Sequence, residues 1–162
     1  MQNSIEVKRT FLYWVRAWLP VGLAILIIAL ESTEYLGSDH TSGPLRWLWE
    51  HVIGPVNERA WELIHHLIRK TGHFTGYGLV ALTWLRAFWM SLPRLNFVRT
   101  ALLALLGTAL TASSDEFHQT FLPNRTGLAS DVVLDCCGAT AMLLVFYVIL
   151  RATKGTWFER SI

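Results

Sequence analysis

Four apolar stretches punctuate the chain: AWLPVGLAILIIAL at 17–30, FTGYGLVALTWL at 74–85 running on through AFWM, TALLALLGTALTASS at 100–114, and CCGATAMLLVFYVIL at 136–150. The first and fourth are apolar on every side, whereas a helix of a soluble bundle keeps a polar face at a period of 3.6. A helix that spans a bilayer needs about 20 mostly apolar residues. Each run reaches that length only when its polar flanks enter the headgroup layer. The pattern therefore predicts an all-α integral membrane bundle of four transmembrane helices, at about 16–36, 72–90, 98–115 and 131–151, forming one domain over 1–162.

The segment 31–72 between the first two spans has its own pattern. PLRWLWEHVIGPV is rich in Trp and bounded by prolines. NERAWELIHHLIRK places Trp61, Ile64, Leu67 and Ile68 at helical spacing behind Asn57, an N-cap residue type. Both predict short amphipathic helices at the membrane interface, with Trp47, Trp49 and Trp61 in the headgroup layer.

Composition agrees with a membrane setting. The chain is 52% hydrophobic and only 16% charged, against about 25% charged in soluble domains. The net charge of +2, without any basic run interleaved with aromatics, excludes a nucleic-acid groove. Cys136 and Cys137 are adjacent, a strained geometry for a disulfide, and read as small packing residues. No cleavage site follows a short apolar core near the start, so no removable signal peptide is expected.

Basic residues orient the spans. Lys8, Arg9 and Arg16 precede the first; Arg86, Arg94 and Arg99 surround the link between the second and third; Arg151, Lys154 and Arg160 follow the fourth. With four spans all three groups share one side, the cytoplasm. Both termini are then cytoplasmic, and 31–72 and 115–131 lie outside a bacterial inner membrane. Arg46, Arg59, Arg69 and Lys70 fall in the outer segment, offset by its acids and histidines.

This topology gathers distant polar residues into one outer layer. Lys70 and His73 open the second span; Asp115, Glu116, His118 and Gln119 close the third; Asp131 and Asp135 open the fourth; Arg125 lies between them. His73 and Tyr77 share a helix face, Asp115 faces His118 and Gln119, and Asp131 stacks with Asp135 at i+4. Stacked acids repel unless a cation, a shared proton or a metal lies between them. Ionisable groups at membrane depth are candidates for function. Asp115, Glu116 and Asp131 are also explicable as helix-end charges, but Asp135 lies a turn inside its span.

KTGHFTGY and DEFHQTFLPNRTGLASDVVLDCCGA resemble the VanZ-like family of small bacterial membrane proteins, whose founding member is associated with teicoplanin resistance. The family's pattern falls on Lys70, His73, Asp115, Glu116, His118, Gln119, Pro123, Arg125 and Asp131. The family often carries Asp where this chain has Arg69, and commonly Asn where it has Asp135. The resemblance, over about residues 65–145, implies an envelope protein linked to glycopeptide resistance. A second resemblance, to PAP2-type lipid phosphatases, rests on spacing: Thr71-Gly72-His73, then Arg125, five residues, Asp131, three residues, Asp135. In that pattern Asp131 stands where the phosphatase has its nucleophilic histidine.

Two classes of function stay open. In one, an envelope enzyme uses His73, His118, Asp131 and Asp135 as catalytic groups, with Lys70, Tyr77, Asp115, Glu116, Gln119 and Arg125 holding a phosphate-bearing or lipid-linked substrate. A divalent metal at Asp115, Asp131 and Asp135 would fit such chemistry. In the other, a non-catalytic protein binds a membrane lipid or lipid-linked envelope precursor, and the same residues serve recognition and stability pairs such as Arg125 with Asp131 or Glu116. A transporter is disfavoured, because the cytoplasmic halves of the spans are nearly free of polar residues.

Overall fold

A computed structural model describes residues 10–33, 38–122 and 125–153. Lys8, Arg9, Pro123, Lys154 and Arg160 lie outside the described residues. Five helices follow in order: α1 Phe11–Glu31, α2 Ser38–Val52, α3 Glu58–Ser91, α4 Phe97–Gln119 and α5 Ala129–Ala152. Helices α1, α4 and α5 are long and apolar enough to cross a membrane. Helix α3 is not among them: His, Thr, Gly and Arg86 dilute its apolar half.

The helices begin where local chemistry favours it. Asn57 and Asn96 each accept a hydrogen bond from a backbone N–H three residues on, at 2.9 and 3.0 Å. Three boundaries differ from the sequence expectation. Helix α1 runs Phe11–Glu31, nearer the N-terminus at both ends than the expected span of about 16–36. The amphipathic segment 57–70 and the second span form one continuous helix of 34 residues, roughly 50 Å long. The polar run Arg69-Lys70-Thr71 contains no helix breaker, and the helix carries straight through it. Helix α2 starts well before Pro44 and runs through it, forgoing one intrahelical hydrogen bond.

Helix α3 is the centre of the bundle and packs on α5, α4, α1 and α2. Tyr77 meets Asp115 and Trp84 meets Gly107, so α4 runs antiparallel to α3. Phe74 meets Gly138 and Gly78 meets Met142, so α5 runs parallel to it. Small residues line these seams: Ala81, Ala104, Gly107, Thr108, Ala112, Gly138 and Ala139 are buried. Such residues let helix backbones approach closely where lipid supplies no hydrophobic drive. Leu102, Leu106 and Leu110 of α4 and Val133, Leu144 and Val148 of α5 point outward, as a lipid-facing surface requires.

Pro20 of α1 has no N–H to give the Arg16 carbonyl one turn earlier. The Arg86 guanidinium of α3 donates to that oxygen instead. A charge in an apolar helix thus satisfies a backbone group that would otherwise be stranded.

Helix α2 docks on the first half of α3. Trp61 Nε1 donates to Ser42 Oγ at 2.8 Å, His65 Nε2 lies 3.2 Å from Thr41 Oγ1, and Arg46 reaches Glu58 at 2.5 Å and Glu50 at 3.0 Å. His65 is buried and stacks on Trp61, with ring centroids 5.7 Å apart. Burial pushes its imidazole below the ordinary 6.5, and the charges of Arg69 and His66 act the same way. A depressed folded pKa means the fold prefers neutral His65. Its stabilisation is present in full above pH 6.5 and is lost as pH falls from there through the folded value. Amide hydrogen exchange across α2 is accordingly expected to speed up on acidification from pH 7.5 to 5, relative to α4 and beyond the intrinsic pH effect on exchange. In His65→Gln this relative change should vanish; an equal response in both proteins contradicts the assignment.

Candidate functional site

The polar residues meet where the start of the apolar half of α3, the end of α4 and the start of α5 come together. Parallel packing of α3 on α5 brings two basic side chains opposite two acids. Lys70 Nζ forms an ion pair with Asp131, both partners partly buried. One turn deeper, His73 Nδ1 approaches Asp135 Oδ1 at 3.5 Å. The stacked acids of α5 are thus each faced by a basic group from α3. Asp135 is completely inaccessible to solvent.

Two further acids come from α4. Asp115 Oδ2 accepts from Tyr77 Oη at 3.0 Å and from Gln119 Nε2 at 3.1 Å. Glu116 Oε2 accepts the backbone N–H of Leu128 at 2.8 Å, just before the start of α5. That bond satisfies the entry to a helix that has no side-chain cap of its own. Several buried polar atoms here have no hydrogen-bond partner: Glu116 Oε1, both carboxylate oxygens of Asp135, and His73 Nδ1. The ligand atoms of His73, Glu116 and Asp135 lie within 4.8 Å of one another.

The three acids singled out in sequence for a metal, Asp115, Asp131 and Asp135, are not the set that the fold groups. Asp115 is taken up by Tyr77 and Gln119, and Asp131 by Lys70. Glu116 takes the third place, because its position on α4 faces α5 directly. His118 also diverges from the sequence grouping. It is exposed, and its Nδ1 lies 3.4 Å from Ser32 Oγ at the end of α1. Helical spacing put it with Asp115, but a side chain three residues on had room to turn towards α1.

Arg125 pairs with no carboxylate of the site. Its Nη2 donates to the backbone carbonyls of Glu31 and Thr33 at 2.8 and 3.0 Å, tying the α4–α5 loop to the end of α1. Its Nε is buried without a hydrogen-bond partner. Gly127 allows this loop to lie against α4, since a Cβ there would collide with the Glu116 carbonyl and come within 2.7 Å of Thr120.

A cavity of about 290 Å³ opens beside these groups, lined among others by Glu31, Ser32, Arg69, His73, Tyr77 and Arg125. A second, of about 180 Å³, shares Arg69, His73, Gln119 and Arg125 with it and adds Lys70 and Asp131. A third space, about 450 Å³, is an apolar cleft between α1 and α4 that runs from Ser32 and Asp115 down to Ile25, Trp84 and Leu110. Arg69, Glu31 and Ser32 were not singled out from the sequence. The run Glu31-Ser32-Thr33-Glu34, ending the first span on the same side, was the available signal. Cys136 is half-buried and Cys137 exposed, both as free thiols.

An all-helical bundle with lipid-facing apolar flanks and enclosed ionisable groups at one end is a multi-pass membrane protein with a buried polar site. A family model described as VanZ/LLP1 matches residues 17–151. The chain belongs to that family. No match was found among curated proteins or among solved structures.

Proposed function

We propose that the chain is a four-span protein of the bacterial cytoplasmic membrane that binds a phosphate-bearing, lipid-linked envelope precursor at the outer leaflet. The observation that carries this reading is the pair of cavities sharing Arg69, His73 and Arg125. Guanidinium groups are suited to phosphate oxygens, and here they adjoin a cleft with an apolar floor between α1 and α4. A phosphate head in the cavities and a hydrocarbon chain in the cleft would use both. The span beyond α1, α4 and α5, second in chain order, is the latter half of α3, about residues 72–90, which carries Arg86 as its one formal charge. Arg16, Arg86, Arg94 and Arg99, towards the opposite end, support placing that end in the cytoplasm.

The test is titration of the full chain in detergent with a polyprenyl phosphate and with the matching polyprenol. Wild type is expected to favour the phosphate. Arg125→Ala removes a charge-assisted contact worth about 1.5–3 kcal/mol, so its phosphate affinity should fall by about tenfold or more while polyprenol binding stays the same. Equal affinity of wild type for the two lipids would refute the reading. Membership of the family also motivates a role in glycopeptide resistance, checked by teicoplanin susceptibility of cells carrying wild type or Arg125→Ala.

The approach of His73 to buried Asp135 favours a second reading, phosphate-ester cleavage. His73 would move a proton while Asp135 orients it. Phosphate release by wild type and its loss in His73→Ala would support catalysis; no release by wild type leaves binding alone.

A further inference from the structure

We infer that His73, Glu116 and Asp135 form a site for a divalent transition-metal cation. Their ligand atoms lie within 4.8 Å of one another. Ligands around a tetrahedral zinc with bonds of about 2.0–2.2 Å are roughly 3.3–3.6 Å apart. Each ligand sits on a different helix, α3, α4 and α5, so an ion there would join the three elements that build the site.

The second observation is the state of the acids. Asp135 is 0% exposed and neither of its carboxylate oxygens has a hydrogen-bond partner. Glu116 is 5% exposed, and its Oε1 is equally without a partner. Buried oxygens are ordinarily satisfied, and buried charges are paired or bound to metal. The surroundings cannot meet the demand: Lys70 is engaged by Asp131, Tyr77 and Gln119 by Asp115, and the Leu128 N–H by the other oxygen of Glu116. His73 contributes at most one positive charge towards two carboxylates. A divalent cation matches both charges and takes the orphaned oxygens as ligands.

The donor set indicates which cation. One imidazole and two carboxylates suit zinc or manganese, whereas magnesium and calcium favour oxygen alone. Three protein ligands leave a fourth position open. His73 lines both cavities, so an ion bound by it would lie beside the space proposed for phosphate, a corollary that rests on the lipid-binding reading.

The test uses full-length protein in detergent, treated with a chelator, dialysed and titrated with zinc chloride in a calorimeter without added lipid. Stoichiometric binding, one ion for each chain, is expected, weakened by at least about tenfold in Asp135→Asn and in Glu116→Gln, since changes even to groups behind a metal's ligands cost that much. Calcium should not compete. Absence of saturable zinc binding, or equal affinity in wild type and both variants, would overturn the inference. Wild type alone provides a second measurement should a variant fail to fold. Pulsed EPR of manganese-loaded protein should show coupling to a single imidazole nitrogen; none, or several, overturns it. Because no lipid is present, failure here leaves the lipid-binding reading standing, and loss of that reading leaves this one.

Discussion

Gly138→Ala is expected to separate α3 from α5 and to disturb the buried polar site in the same step. A Cβ at position 138 would overlap the carbonyl oxygen of Phe74 and lie 2.8 Å from its carbonyl carbon and 2.9 Å from its Cα. The obstacle is backbone within a continuous helix, so no side chain can turn aside. The two helices must move apart, and overpacking of this kind costs about 1–3 kcal/mol, with rigid backbone placing this case at about 3 or above. The site shares that seam. Phe74 adjoins His73, and Gly138 lies one turn after Asp135, so separation also widens the His73–Asp135 approach of 3.5 Å. Thermal unfolding in detergent should show a large drop for Gly138→Ala. Gly72→Ala, on the same α3 but with open space at its Cβ, should unfold near wild type. Equal stability of the two variants would refute the account of the seam.

Lys70→Met is expected to destabilise the protein by about 2 kcal/mol, and a further change at Asp131 to restore most of it. Lys70 and Asp131 keep 30% and 19% of their side chains exposed, so solvent screens the pair in part. Removing the lysine leaves a carboxylate in a half-buried setting beside other acids. Stranding such a group costs about 1–3 kcal/mol. Asp131→Asn alone should cost less, because the long lysine stem can carry its charge out to water. The double variant Lys70→Met/Asp131→Asn should then be more stable than Lys70→Met, with a coupling energy of about 1 kcal/mol or more. Chemical denaturation of the four proteins measures the cycle. Strict additivity would mean that the two residues act independently.

Much of the architecture was legible along the chain. The three helices apolar enough to cross a membrane overlap three of the predicted spans, α1 lying nearer the N-terminus than expected, because continuous hydrophobicity over a helix length has few alternative resting places. The Asn57 cap was legible too, since capping is settled within four residues. The helical register that stacks Asp131 and Asp135 held for the same reason. The long continuity of α3 was not legible. Its polar run at 69–71 looks like an interruption until α5 supplies Asp131 for Lys70. The path of α2 through Pro44 was equally hidden, because its stability comes from Trp61, His65 and Glu58 on another helix.

Within the site, sequence determined which chemistry is present: four acids, two histidines, Lys70, Tyr77, Gln119 and Arg125 brought towards one end by the alternation of apolar spans. It also singled out Asp135 as an acid too deep to be a helix-end charge, and that residue is fully buried. Tertiary structure alone decided the partners. Parallel packing of α3 on α5 matched Lys70 to Asp131 and His73 to Asp135, antiparallel α4 gave Tyr77 to Asp115, and the loop that Gly127 lets lie against α4 turned Arg125 towards the end of α1. Glu116 rather than Asp115 joined His73 and Asp135. The physical reason is one of range. Hydrophobic periodicity and capping act over a few residues and are written locally, whereas the pairing of charges depends on helix direction and on an approach of backbones set by single glycines far apart in the chain.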